Sequence, residues 1–254
     1  MPPIASDALV LRTYKLGETS KVVVLLTRER GKVRAVAKGV RGPRPRYQSA
    51  LEPLSEVRVS LYGRQGADLY RLGGCELIRS AYLAGSRELE TTLSFSYFAE
   101  LIDGFSPEGE AEDAVYRLAV AVLKAAESGT PPRPLARYLE AWLLRLHGLY
   151  PPLDRCGACA RVLPEGDRRY HAPCHGFICE ECSRGPGEVT GPHLAAESRR
   201  FLLRVFRQSP DALSDCVAPP DDVELLHRQL VERHLERDLA SLRMLRDLTR
   251  QGAS

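Results

Sequence analysis

The first eighty residues show the alternation of apolar and polar positions that is typical of half-buried β-strands. Short runs rich in β-branched residues are separated by glycine and proline. The predicted strands are Ala8–Thr13, Val22–Leu26, Val33–Val40, Leu54–Leu61 and Asp68–Leu77. Because no helical period separates them, the pattern predicts a small closed or partly open barrel with the size and strand count of an OB-fold.

After Tyr82 the apolar positions recur every three to four residues, as amphipathic helices require. The predicted helices run from Leu89 to Leu101 behind a cap at Ser86, from Val115 to Leu123, from Leu135 to Leu146, from Leu194 to Val205 and from Val223 to Leu245. The chain is therefore expected to be α+β. Residues 1–80 form the predicted five-stranded OB-fold nucleic-acid-binding domain, and residues 81–254 form an all-helical domain with a zinc finger inserted at 153–185.

Charge divides the 254-residue chain in the same way. The net charge is +3, but residues 1–80 hold 15 Lys/Arg against 7 Asp/Glu, so the remainder is net acidic. This asymmetry indicates that a polyanion-binding front end precedes a part with another role. We find neither a secretory leader nor an uninterrupted apolar run long enough to span a membrane, which predicts a cytosolic protein.

Four of the seven cysteines form two C-x2-C pairs separated by 19 residues, Cys156/Cys159 and Cys179/Cys182. This spacing is typical of a tetrahedral zinc site with four thiolate ligands, so we expect one structural Zn²⁺. Cys174, His171 and His175 lie in the same loop and are competing ligand candidates. Paired redox dithiols and buried thiols are the alternatives to metal binding.

Catalysis by such a site is not expected. Four thiolates leave no open position for a reacting water. The sequence also has no phosphate-binding GxxxxGK[ST] loop, no GxGxxG motif, no GxSxG elbow and no cluster of paired acids. The protein is therefore predicted not to be an enzyme.

The segment 28–47 carries eight cations and one acidic residue. Lys32, Arg34 and Lys38 lie two and four positions apart, and residues at such spacings share one face of a strand. Arg41, Arg44 and Arg46 lie in a loop stiffened by glycine and proline, and Tyr47 offers a ring on which an unpaired base can stack. The segment predicts a groove that binds nucleic acid by its phosphates. The alternative is an ordinary solvated surface.

The run from Val223 to Leu245 predicts one long amphipathic helix. Its arginines alternate with acidic residues, which favours ion pairs on a solvated face over a ligand site. His227 and His234 lie about two turns apart on this helix. We expect both at the surface or its boundary and neither as a metal ligand.

Six segments resemble the RecO family of bacterial DNA repair proteins. They are LGETSKVVVLLT at 16–27, GKVRAVAKGVR at 31–41, LEPL at 51–54, DLYRL at 68–72, LHGLYPPLDRC at 146–156 and GFICEEC at 176–182. The chain departs from the family where a glycine pair is usual before the third cysteine, since it has His175 and Gly176, and Cys174 is an addition. It resembles the branch of the family that carries the zinc cysteines.

The resemblance implies an OB-fold, a helical domain with an inserted zinc finger, and ATP-independent binding and annealing of single- and double-stranded DNA. It also implies action with RecR, with the C-terminal tail of single-strand binding protein and, through these, in loading RecA at gaps. The expected location is the bacterial cytoplasm, at the nucleoid. A residual groove among helix residues such as Leu93, Tyr97 and Trp142 is a candidate for the tail. The rival interpretation is a zinc-ribbon adaptor that binds structured RNA or acts in transcription.

Overall fold

The computed structural model describes residues 3–41, 47–64, 66–80, 89–184, 191–216 and 218–252. These residues form two compact units. The first contains 1–132 and 238–254, and the second contains 133–237. No helix in the described ranges has both the length and the apolar character needed to span a membrane.

The first unit begins with five strands, in agreement with the sequence. They are β1 (Ile4–Leu16), β2 (Ser20–Thr27), β3 (Gly31–Ala37), β4 (Glu56–Tyr62) and β5 (Tyr70–Arg79). They form a closed barrel in the order β1-β2-β3-β5-β4. Neighbouring strands are antiparallel except β3 and β5, which pair in parallel through Ala35 with Tyr70 and Val36 with Arg71. The predicted OB-like barrel is confirmed.

The barrel closes around side chains that alternate along each strand. In β3, Gly31, Val33, Ala35 and Ala37 are buried, whereas Lys32, Arg34 and Val36 face outward. Val33 and Ala35 pack with Val10, Leu25 and Val59 in the barrel interior. This period of two is the pattern seen in the sequence, and it fixes which cations lie on the outside.

Helices complete both units. In the first unit they are α1 (Leu89–Phe105) and α2 (Asp113–Glu127), and in the second α3 (Pro132–Leu146). Further along the second unit are β6 (Arg168–His171), β7 (Gly176–Ile178), α4 (Glu180–Ser183), β8 (His193–Leu194), α5 (Ala196–Val205) and α6 (Asp221–Leu235). The last helix, α7 (Ala240–Gly252), packs against α1 in the first unit. Strands β6, β7 and β8 form a small antiparallel sheet beside the cysteines.

The compact units and the predicted domains divide the chain at different places. The prediction of 1–80 and 81–254 follows the change from strands to helices. The first unit instead keeps α1, α2 and α7 with the barrel, because α1 packs on β1 and α7 packs on α1. The division into 1–80 and 81–254, with the zinc finger at 153–185, stays a prediction about domains.

The prediction of one long helix from Val223 to Leu245 is wrong. Helix α6 ends at Leu235, Glu236 has a left-handed backbone with φ of 52°, and α7 starts at Ala240. Glu100 of α1 accepts hydrogen bonds from the backbone N–H groups of Ala240 and Ser241, at 3.2 and 3.0 Å. A carboxylate at this position satisfies N–H groups that a helix start leaves open. The break therefore depends on a tertiary contact that periodicity cannot reveal.

The expectation that His227 lies at the surface is also wrong. His227 is fully buried, with Nδ1 2.8 Å from a carboxylate oxygen of Glu140 and Nε2 2.9 Å from the hydroxyl of Tyr150. Arg137 donates to the other oxygen of Glu140 at 2.6 Å. Burial lowers the pKa of His227, although hydrogen bonding to Glu140 acts in the opposite direction. This network joins α3, α6 and the segment that leads to the first cysteine pair.

Candidate metal centre and nucleic-acid interface

The four cysteines of the two C-x2-C pairs come together in the second unit. Their sulfur atoms all lie within 4.8 Å of one another, and Sγ of Cys159 is 3.8 Å from Sγ of Cys179. Four sulfurs each bound about 2.3 Å from one tetrahedral ion stand about 3.8 Å apart. The donor set and the separations therefore fit a closed four-thiolate metal site.

The backbone around the cysteines is packed too closely for larger residues. A Cβ added to Gly157 would lie 2.9 Å from Cα of Gly176, and the reverse distance is 2.8 Å. The N–H of Gly157 donates to the carbonyl of Phe177 at 2.8 Å, which holds the two halves of the site together. His175 occupies the left-handed region with φ of 48°, a conformation that favours glycine. The glycine that the family resemblance implies at position 175 would adopt this conformation without strain.

The cysteines differ in their surroundings. Burial acts to raise the pKa of the Cys156 thiol, but hydrogen bonds from the backbone N–H groups of Cys159, Cys179 and Ala158 outweigh it and lower the pKa to about 6. Hydrogen bonds with the sulfurs of Cys179 and Cys159 raise the pKa of Cys182 to about 12. Backbone N–H groups that donate hydrogen bonds to sulfur stabilise thiolates in metal sites.

Cys174 does not join the group of four among the described residues. Its sulfur lies 3.6 Å from Nδ1 of His171 and 3.5 Å from the His171 carbonyl oxygen. His175 Nε2 accepts a hydrogen bond from Arg233 of α6 at 2.6 Å. The three competing ligand candidates therefore have other partners, and the two C-x2-C pairs make up the cluster.

The predicted nucleic-acid residues on β3 are partly covered. Lys32 is only 12% exposed, and its Nζ lies 2.7 Å from the carbonyl oxygen and 3.1 Å from a carboxylate oxygen of Asp103. The backbone at Gly109 donates to the Lys32 carbonyl at 2.9 Å, so the segment between α1 and α2 runs beside β3. Arg34 is 47% exposed and pairs with Glu108 of that segment.

Lys38 and Arg41 lie beyond the end of β3, and both are exposed. Tyr47 is half-buried against the barrel core, and its hydroxyl donates to the carbonyl of Gly73 at 3.0 Å. Arg44 and Arg46 lie outside the described residues. The structure thus offers Lys38 and Arg41 to a ligand more openly than Lys32.

Strand pairing brings two further lysines to the same end of the barrel. Lys15 of β1 pairs directly with Lys21 of β2, and Lys21 pairs with Ala37, the residue before Lys38. The N–H of Arg41 donates to the carbonyl of Thr19 in the β1–β2 turn at 3.1 Å. Sequence reasoning missed Lys15 and Lys21 because it searched one continuous basic segment. Pairing the two predicted strands across Gly17 as a hairpin would have revealed them.

A groove with a volume of about 590 Å³ lies within the second unit. Its lining combines apolar side chains with three arginines: Arg145, Tyr150, Pro151, Pro152, Leu153, Asp154, Arg199, Leu203, Phe206 and Arg207. Trp142 contacts Phe206 edge-on at 5.8 Å between ring centroids, whereas Tyr97 is fully buried in the first unit. The groove suits a segment with both apolar and acidic side chains.

Comparison with known proteins gives a consistent result over nearly the whole chain. Family models described as the N-terminal and C-terminal parts of recombination protein O match residues 1–81 and 86–243. The DNA repair protein RecO of Koribacter versatilis is 35% identical over 244 residues, covering 94% of this chain and 97% of the relative. The proteins of the same name from Anaeromyxobacter sp. strain K and Geobacter sulfurreducens are 36% and 32% identical, and each alignment covers 98% of this chain and at least 98% of the relative.

The names of these relatives describe a role in DNA repair. The matched models cover both the barrel and the cysteine cluster. Together with the closed five-stranded barrel, they show that the chain belongs to the RecO family of DNA repair proteins.

Proposed function

We propose that this RecO-family protein binds single- and double-stranded DNA and anneals complementary strands. The observation that carries the proposal is the group of cations at one end of the barrel. Strand pairing places Lys15 beside Lys21 and Lys21 beside Ala37, the residue before Lys38, and the backbone of Arg41 bonds to the β1–β2 turn. Neutralising phosphates on two strands lowers their mutual repulsion, so that base pairing can proceed. No bond to the DNA is made or broken.

The seven nucleic-acid residues predicted from the sequence take different parts in this proposal. Lys38 and Arg41 bind phosphates directly, together with Arg44 and Arg46, which follow them in the sequence. Arg34 contributes when its exposed pair with Glu108 opens, which costs little because such pairs are weak in water. Lys32 and Tyr47 support the barrel surface, since each already has a buried or half-buried partner.

One Zn²⁺ is proposed for the four-cysteine cluster. The support is the all-sulfur donor set and the 3.8 Å separation of two sulfurs, which suit zinc in a structural role. The ion would join the loop at Cys156 to the start of α4 at Cys179. Its contribution is to the folding of the second unit.

The partners are proposed from the family and from the groove. RecR and, through it, RecA loading are expected of a RecO protein acting at gaps in DNA. The groove bounded by Arg145, Arg199, Arg207 and Phe206 is the proposed site for the C-terminal tail of single-strand binding protein. The proposed place of action is the nucleoid in the cytoplasm. Membership of a DNA repair family favours this function over the RNA-binding adaptor.

An annealing assay tests the central proposal. Lys38→Ala, Arg41→Ala and Arg44→Ala together should abolish annealing of complementary oligonucleotides while zinc content and melting temperature stay unchanged. The control is a second triple variant, Arg117→Ala with Lys124→Ala and Arg200→Ala, which removes three positive charges from exposed positions elsewhere. It should anneal DNA normally. Equal annealing by the two triple variants would contradict the proposal. Selective retention of folded RNA over single-stranded DNA would support the adaptor instead.

A further inference from the structure

Five outward-facing residues form one continuous row across the barrel. Tyr14 of β1 pairs with Val22 of β2, Val22 with Val36 of β3, Val36 with Arg71 of β5, and Arg71 with Tyr62 of β4. Directly paired residues on neighbouring strands share a face of the sheet. We call this row, Tyr14–Val22–Val36–Arg71–Tyr62, the outer band.

The residues of the outer band are exposed or half-buried, and a neighbouring row is partly covered. Tyr14 and Tyr62 are 43% and 37% exposed, Arg71 is exposed, and the two valines are half-buried. In the neighbouring row, Val24 is buried and Arg34 pairs with Glu108 of the segment after α1. The segment after α1 thus reaches the neighbouring row at Arg34, and both tyrosine rings remain partly exposed.

Both tyrosine rings contact arginine side chains that help to hold them in place. The guanidinium carbon of Arg12 lies 5.0 Å from the ring centroid of Tyr14, and that of Arg71 lies 5.0 Å from the ring centroid of Tyr62. Gly73 leaves room for the second ring, since an added Cβ there would stand 2.2 Å from Cε2 of Tyr62. A ring that is already positioned loses little entropy when another ring stacks on it.

The dimensions of the outer band suit a short stretch of unpaired strand. Four steps between neighbouring strands, each about 4.8 Å, separate Tyr14 from Tyr62 by about 19 Å along the sheet. Val22 and Val36 provide an apolar floor between the rings, and Lys38 follows the end of β3, two residues after Val36. Bases would thus meet rings and methyl groups while phosphates meet cations.

We infer that the outer band is a stacking surface for the bases of a single strand, with Tyr14 and Tyr62 as its two stacking residues. The inference rests on the proposed function, because it states which form of DNA this face of the barrel binds. A duplex keeps its base faces stacked inside, so it can contact the cations but not the rings. The outer band therefore makes the protein distinguish unpaired from paired DNA.

The test compares variants and ligands in the full-length protein. Tyr14→Leu with Tyr62→Leu removes both rings and keeps apolar side chains, whereas Tyr14→Phe with Tyr62→Phe keeps both rings. Ile78→Ala removes an exposed apolar side chain of β5 outside the outer band and is the matched control. Each protein is titrated with a labelled single strand, with a strand of the same length that lacks bases, and with a duplex.

The leucine variant should bind the normal single strand at least tenfold more weakly, as expected when stacking rings are lost. The phenylalanine variant and the control should bind like the original protein. On the strand without bases and on the duplex, the leucine variant should equal the original protein. Equal affinity of the leucine variant for the normal strand overturns the inference, as does an equal loss on all three ligands. Failure of the original protein to bind any of the three would instead overturn the proposed function.

Discussion

At the scale of single residues, the structure separates cations that stabilise the fold from cations available to a ligand. Lys32 and Arg34 lie on the same face of one strand, yet Lys32 is held against Asp103, which is only 4% exposed. Lys38 and Arg41 follow on the same segment and are exposed. Neighbouring positive charges in a sequence can therefore have unrelated roles, and only their tertiary partners distinguish them.

Gly31 is a position at which tertiary packing requires glycine. Its φ is +64°, and a Cβ added to it would lie 1.7 Å from the carbonyl oxygen of Glu110. Gly31→Ala should lower the free energy of unfolding by more than about 2 kcal/mol, because it combines an unfavourable backbone conformation with a clash against backbone. Gly17→Ala is the control, since Gly17 also has φ of +60° but has open space around it. Denaturant unfolding of both variants checks this, and equal losses would show that the clash is relieved without cost.

His227 carries a prediction about pH. Burial lowers its pKa below its usual value, so His227 is neutral near pH 7. The imidazole of His227 binds a proton more readily in the unfolded chain than in the folded protein. The free energy of unfolding should therefore fall as the pH drops below about 6.5. The slope from this residue is at most about 1.4 kcal/mol per pH unit.

Thermal unfolding between pH 5 and pH 8 measures the effect. His227→Gln should be less stable at pH 7.5 and should lose this part of the pH dependence. His193→Gln, which alters a histidine that is 49% exposed, is the matched control and should keep it. A pH dependence that is the same in the original protein and in His227→Gln would show that folding does not lower the pKa of His227.

At the scale of elements, the sequence predicted the barrel well because each strand carries its own alternating pattern. The positions of Val33, Ala35 and Ala37 in the interior follow from that alternation. Other features of the fold depend on contacts between segments that are distant in the sequence, and these contacts produce no local sequence pattern. The capping of α7 by Glu100 and the segment beside β3 are examples.

The candidate sites show the same difference. The four cysteines of the candidate metal site could be predicted because C-x2-C spacing is itself a local geometric constraint. Tyr47 was predicted as a stacking residue, yet its hydroxyl bonds Gly73 and its ring packs on the barrel core. Tyr14 carries no local signal of this kind, and only the pairing of β1 with β2 places it in the outer band.

Metal removal tests the element that the cysteines hold together. A chelator or Cys156→Ala should remove one zinc per chain and lower the melting temperature of the second unit, because the loop at Cys156 and the start of α4 would lose their common ion. Cys174→Ala is the control and should keep both the zinc and the melting temperature, since Cys174 lies outside the cluster. Metal analysis with thermal unfolding measures both quantities. A Cys174→Ala protein without zinc would contradict this assignment of ligands.

At the scale of the whole molecule, charge and chemistry are divided between the two compact units. The first unit holds the barrel with its cations and its outer band, and the second holds the cysteine cluster and the groove bounded by three arginines. The proposed DNA binding and the proposed partner binding therefore belong to different units. Variants of one should leave the other intact, which makes the two activities separable by experiment.

The central claim is that the cationic end of the barrel holds DNA strands by their phosphates, and the salt dependence of single-strand affinity tests it most directly. With about five phosphates neutralised, affinity should fall roughly a hundredfold between 50 and 200 mM salt. For Lys38→Gln with Arg41→Gln, the loss over the same range should shrink to roughly twentyfold, because two fewer phosphates are neutralised. A response that is flat, or that is the same in the original protein and in the double variant, would contradict the account.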